Sequence, residues 1–90
     1  MSSVRDNPAL HRFELDVEGE IAFAIYRRAE GVITFLHTET PRRLRGRGIG
    51  SALVRGALET ARAEGLKVVA RCPFVSDYIA EHPEFGDLQP

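Results

Sequence analysis

Ninety residues make one domain and no more. A content of 43% hydrophobic and 28% charged residues is that of an ordinary globular chain and excludes wholesale disorder. A net charge of -1 gives no general drive toward nucleic acid or an anionic membrane, and the lone Cys72 leaves no internal disulfide and no self-contained cysteine-built metal site.

No apolar run approaches the roughly 18–20 residues of a membrane span. Residues 1–10 are polar and hold a proline, unlike a secretory leader, so the default expectation is a cytoplasmic protein. Residues 1–11 read as a flexible arm and 12–90 as the domain. From residue 13 the pattern has period two. Phe13, Leu15 and Val17 alternate with Glu14 and Asp16, which predicts a strand with one wet face. Glu18-Gly19 is a turn signal. Ile21, Phe23 and Ile25 then alternate with Ala22, Ala24 and Tyr26. After the Glu30-Gly31 turn, residues 32–38 form a third strand, with Ile33, Phe35 and His37 on one face and Thr34, Leu36 and Thr38 on the other. Short turns join these strands into an antiparallel meander.

Pro41 ends that run, and residues 42–47 form a basic loop. Residues 49–64 predict a helix. Ile49, Gly50, Leu53, Val54, Ala57, Leu58 and Ala61 share half of the helical wheel, with Ser51, Arg55, Glu59 and Arg62 opposite and Gly65 as the stop. Residues 66–72 read as a short strand parallel to the third, reached through a crossover helix. Pro73 opens a last helix to about His82, with Val75, Tyr78, Ile79 and His82 on its inner face. The expected fold is α/β (α+β), a three-stranded meander followed by β-α-β-α, with a mixed sheet and helices packed on it.

The sequence Arg45-Gly46-Arg47-Gly48-Ile49-Gly50-Ser51 lies between a strand and the helix it opens. That is an anion site in physical terms. The first amides of a helix lack acceptors, the dipole adds positive charge, and glycines let a phosphate approach the backbone. Arg45 and Arg47 add charge and paired donors. No Lys-Ser or Lys-Thr follows, so the Walker pattern fails, and the dinucleotide pattern GxGxxG fails at its last glycine.

The pattern that fits is Q/R-x-x-G-x-G/A, at Arg45, Gly48 and Gly50. It resembles the pyrophosphate motif of the GNAT superfamily of N-acetyltransferases. The segments His37-Thr38-Glu39 and Arg71-Cys72-Pro73-Phe74-Val75, with Tyr78-Ile79 and His82-Pro83, resemble a small single-domain branch of that superfamily, from about residue 12 to Leu88. The resemblance implies acetyl-CoA or coenzyme A as co-substrate and no metal. It implies coenzyme contacts at Thr38, Glu39, Thr40, Arg45, Gly46, Arg47, Gly48, Ile49, Gly50, Ser51, Cys72 and Pro73. The pantetheine arm would lie where two strands splay apart.

Direct transfer to an amine needs a base for the amine and an acid for the departing thiolate. Tyr78 resembles the tyrosine that protonates coenzyme A in many family members; the alternative is an aromatic packing the last helix on the sheet. His37 and Glu39, at a strand end, are candidates for the base, and the alternative is a half-exposed strand terminus. Cys72 stands at a helix N-terminus next to Arg71 and is a candidate for a place beside the thioester or for an acetyl-cysteine; the alternative is a small buried hydrophobe. Phe35, Phe74 and Tyr78 are open between an acyl pocket and core.

Ordinary superfamily members insert two helices between their first two strands to wall the acceptor site. Here Glu18-Gly19 alone joins them. The acceptor is then an amine, on a small molecule or a protein lysine, in a shallow cleft or one completed by a partner. Two other readings stand beside acetyl transfer. One is a non-catalytic acyl-CoA-binding module. The other is a nucleic-acid binder using Arg42, Arg43, Arg45 and Arg47, disfavoured by the near-neutral charge and by Glu14, Asp16, Glu18 and Glu20.

Overall fold

Alternating residues build strands because one side of a sheet must meet a core and the other water. The computed structural model describes residues 3–90. Its strands are β1 (Arg5–Asn7), β2 (Arg12–Val17), β3 (Glu20–Ala29), β4 (Val32–Glu39) and β5 (Lys67–Ala70), arranged side by side in that order. Pairing is antiparallel from β1 to β4 and parallel between β4 and β5. Helix α1 (Ile49–Ala63) makes the crossover between the parallel pair, α2 (Pro73–Glu81) follows β5, and a 3-10 stretch, Pro83–Leu88, completes the chain. Among the described residues no helix is long and apolar enough to cross a membrane.

The helix period predicted for α1 is the one observed. Leu53, Val54, Ala57, Leu58 and Ala61 are buried in a single core with Phe13, Ala22, Ala24, Ile33, Phe35 and Val68 from the sheet and Val75 and Ile79 from α2. The alanines of β3 let α1 approach, while Phe13 fills the space between Tyr26 and Phe35, at ring centroid distances of 5.3 and 6.1 Å. Ile21, Phe23 and Ile25 fall on the other face and stay half-buried.

Two expectations are corrected. The first is the flexible arm. Met1 and Ser2 lie outside the described residues, but Arg5–Asn7 is a paired edge strand, its Arg5 opposite Glu14 and its Asp6 opposite Phe13. Pro8–Leu10 is a 3-10 turn capped by the Asn7 side chain. The polar residues that suggested a loose arm are its attachments. Glu14 is only 3% exposed and receives Asn7 Nδ2 at 2.9 Å, Arg12 Nε at 2.7 Å and Arg5 Nη2 at 2.9 Å. The Arg12 hydrogen bond is the chief cause that holds its carboxyl below the usual range, against the opposing effect of burial. The buried Tyr26 hydroxyl donates to Asp6 Oδ1 at 2.6 Å, and Arg28 bridges Asp6 and Glu64.

The second correction is the face of His37. Tyr26 pairs with Phe35, but Ile25 pairs with His37, so Leu36 is an extra residue on β4. Such a bulge reverses the alternation beyond it. His37 and Glu39 therefore share the face of Ile25 and Phe23, and Thr38 joins Ala24 on the core side.

Because Asp6 satisfies a buried hydroxyl, Asp6→Ala should cost about 1–3 kcal/mol in urea unfolding. Asp16→Ala, at an exposed position of β2, should change stability by less than about 0.5 kcal/mol.

Candidate functional site

The parallel ladder of β4 and β5 ends at Phe35 opposite Ala70. Beyond it the Phe35 carbonyl accepts two amides, Arg71 N–H at 3.0 Å and Cys72 N–H at 3.1 Å, and the strands part. β4 continues to Glu39 with β3 on one side and, among the described residues, no strand on the other. A strand edge left without its neighbour offers backbone donors and acceptors to a linear ligand.

Facing that edge is the start of α1. A 3-10 turn, Arg42–Leu44, brings Leu44 into the core at 0% exposure and so anchors the loop. Gly46 and Gly48 adopt φ of 81° and 75°, a region that glycine enters without penalty. Gly48 is the N-cap and makes no side-chain cap bond; the first helical bond is Ala52 N–H to the Gly48 carbonyl at 3.0 Å. The amides of Ile49, Gly50 and Ser51 precede that bond and point out of the helix end.

Strand end and helix start enclose an open groove of about 490 Å³. It collects most of the residues singled out from the sequence: His37, Thr38, Glu39 and Thr40 on one wall, and Arg45, Gly46, Gly48, Ile49, Gly50 and Ser51 on the other. Leu44 and Phe74 complete it. Leu44 was hidden as one apolar residue among arginines, and its isolation was the available signal. His37 Nε2 lies 3.1 Å from Glu39 Oε1, both side chains being more than half exposed. Cys72 is buried and does not line the groove, but its Sγ lies 3.7 Å from Oγ1 of the lining residue Thr38.

Besides Cys72, three predicted residues are not brought into the groove. Tyr78 is buried, stacks on His82 at 3.9 Å and lies 6.1 Å from Phe85. Arg55 is its polar neighbour, with a guanidinium pKa raised first by Glu84 and then by Tyr78. Tyr78 thus packs within α2 and against the C-terminal 3-10 stretch. Pro73 is exposed at the first turn of α2. Arg47 is drawn off by the β2–β3 turn, where Glu18 Oε2 receives its Nη2 at 2.7 Å. Glu18 also holds Arg43 at 3.0 Å, and Arg43 bonds Glu20 as well. Glu18 does this from a left-handed backbone, φ 54°, that is uncommon for glutamate. Hydrogen bonds from Arg47, then Arg43, pull its carboxyl from 4.5 down to about 2. Among the described residues Arg42 and Arg45 have no carboxylate partner, and Arg45 Nε reaches only the Thr40 carbonyl, at 3.3 Å.

A mixed sheet split beside a glycine-started helix defines a class of α/β domain in which a strand edge and helix-start amides face one groove. This chain belongs to the GCN5-related N-acetyl-transferase family, whose model matches residues 12–88. It is similar to Protein NATD1 of Gallus gallus, Mus musculus and Homo sapiens, at 36% identity over 52 residues, which is 58% of this chain and 47, 47 and 46% of those proteins. The match therefore spans about half the length of these curated relatives. The family binds acetyl-CoA as co-substrate and is of acetyltransferase type.

The Glu18 pairs predict a pH signature. A carboxyl whose pKa is lower in the folded state stabilises the fold above its unfolded value and loses that effect as pH falls through the folded one. Glu18→Gln should lower the melting temperature at pH above about 4.5, and the gap from the parent protein should close as pH falls toward about 2. Melts followed by circular dichroism check this, and high salt should narrow the gap too.

Proposed function

We propose that this protein is an acetyl-CoA-dependent N-acetyltransferase that passes the acetyl group directly to an amine, on a small molecule or a protein lysine. The observation that carries the reading is the parting of β4 and β5 beside the uncapped start of α1. Diphosphate oxygens would take the amides of Ile49, Gly50 and Ser51, with Arg45 supplying charge. The arm leading to the thioester would run along the free edge of β4, toward Thr38 and Cys72.

The chemistry asks the chain to do three things. A base takes a proton from the acceptor ammonium; His37, backed by Glu39 at 3.1 Å, stands exposed for this. The C–N bond forms as the C–S bond breaks, and backbone amides at the split polarise the carbonyl. The departing thiolate takes up the proton that the acylated nitrogen loses; Thr38 Oγ1 lines the groove, and Cys72 Sγ lies 3.7 Å from it. Burial of Cys72 supports direct transfer over an acetyl-cysteine route. Tyr78, away from the groove, is not used.

A second reading has one observation in its favour: His37 and Glu39 lie on the half-buried sheet face, with no further element forming an acceptor wall among the described residues. On that ground a non-catalytic acyl-CoA-binding module remains the alternative. The nucleic-acid reading loses support, because Glu18 and Glu20 already pair Arg43 and Arg47.

Calorimetric titration with acetyl-CoA should show saturable binding that falls by at least about ten-fold in the Arg45→Glu/Gly48→Val variant. Absence of binding to the parent protein at millimolar coenzyme would overturn the proposal. With an amine acceptor present, His37→Ala should retain coenzyme binding and lose acetyl transfer near neutral pH by about 100-fold. An acetyl adduct on Cys72, read by mass spectrometry, would replace direct transfer with a two-step route. Binding with no turnover on any amine would favour the module.

A further inference from the structure

A second cleft, of about 720 Å³, lies at the far end of α1 from the groove. Glu64, which caps the C-terminus of α1, stands on one side of it. Pro8 and His11, from the N-terminal 3-10 turn, stand on another, with Tyr26, Arg27 and Arg28 of β3. The fifteen residues of α1 put roughly 22 Å between the two places, at 1.5 Å per residue, so the cleft is separate from the groove. Its volume is that of a small-molecule site.

The cleft is held open by bonds between its walls. Tyr26 N–H donates to the His11 carbonyl at 2.9 Å, and the Tyr26 hydroxyl donates to Asp6 Oδ1 at 2.6 Å. Arg28 spans Asp6 Oδ2, at 2.9 Å, and Glu64 Oε1, at 2.7 Å. One guanidinium shared by two carboxylates leaves one negative charge over. Among the described residues Glu64 Oε2 accepts no hydrogen bond. The positive charge that would balance it is Arg27, which has no partner among the described residues. Strand alternation sends neighbouring side chains to opposite faces, so Arg27 cannot join the cluster that Arg28 makes. Arg27 and Glu64 therefore line one cleft, carry opposite charges and form no ion pair with each other.

We infer that this cleft binds a zwitterionic small molecule of the α-amino-acid class with an apolar side chain. The carboxylate pairs with Arg27, the ammonium with Glu64, and the side chain lies toward Pro8 and the Tyr26 ring. A ligand with both charges completes two half-made pairs at once. A simple anion would meet Arg27 but face the uncompensated carboxylate, and a simple amine would leave Arg27 as it is. The inference does not depend on the coenzyme reading, because no residue of the groove takes part.

The test follows amide chemical shifts of the full chain by NMR during titration with L-phenylalanine. Phenylpropanoate, which lacks the ammonium, phenethylamine, which lacks the carboxylate, and glycine, which lacks the side chain, are the comparison probes. L-Phenylalanine should give saturable shifts centred on residues 6–11, 26–28 and 64, and each comparison probe should bind at least about ten-fold more weakly. Arg27→Gln should weaken L-phenylalanine by about ten-fold, Arg27→Lys by less, and neither should change the titration with acetyl-CoA. No saturable shift would mean that Arg27 is merely solvated, and would overturn the inference. So would phenylpropanoate or phenethylamine binding as tightly as the amino acid, or shifts centred on His37–Ser51. Failure of the parent protein to bind acetyl-CoA would remove the coenzyme reading and leave this one standing.

Discussion

The Phe35 carbonyl is the point on which the rest of the groove depends. A single oxygen accepts two successive amides from the far end of β5, so the chain that has run parallel to β4 turns away at Cys72. Had the ladder continued for two more pairs, the edge of β4 would be satisfied and no groove would exist. The same turn starts α2 with Pro73, whose fixed φ suits a first helical position. One carbonyl thereby releases a strand edge, seats a thiol beside Thr38 and brings Phe74 across to α1.

The bulge at Leu36 acts on the adjoining stretch of β4. Without it, strict alternation would put His37 into the core beside Phe35, where an imidazole would need a buried partner. With it, His37 and Glu39 stand together on the wet side and Thr38 turns inward toward Cys72. Polar chemistry and core packing are separated by one added residue. Meanwhile the electrostatics of the loop are partly internal. Glu18 and Glu20 engage Arg43 and Arg47, so the charge left for an anion lies with Arg45, Arg42 and the helix amides.

The parts of this architecture that were legible in the sequence are those set by local rules. The 3.6-residue spacing of α1, the proline that opens α2 and the glycine run before Ile49 each follow from backbone constraints within a few residues. Most of the groove followed from these. What escaped depends on partners far along the chain. Nothing near Leu36 distinguishes an extra strand residue from ordinary alternation, because the bulge is a matter of register with β3. Asp6 and Asn7 look like solvent-loving residues until Tyr26 and Glu14 are beside them. Tyr78 has the spacing of a site residue, yet its helix turns it toward His82 and Phe85. Arg47 has the composition of a phosphate ligand and is held by a glutamate 29 residues away in the chain.

That last contact gives the β2–β3 hairpin a standing unusual for its kind. Exposed two-residue turns are ordinarily where a tag, an epitope or an inserted domain can be grafted without harm. Here the turn residue Glu18 is a cross-brace to the glycine loop. An insertion at Glu18-Gly19 would preserve the sheet and still loosen the glycine loop that Arg43 and Arg47 flank. Conversely, a small fluorophore placed at this turn would sit one ion pair away from the groove, and so could report on its occupancy without touching it.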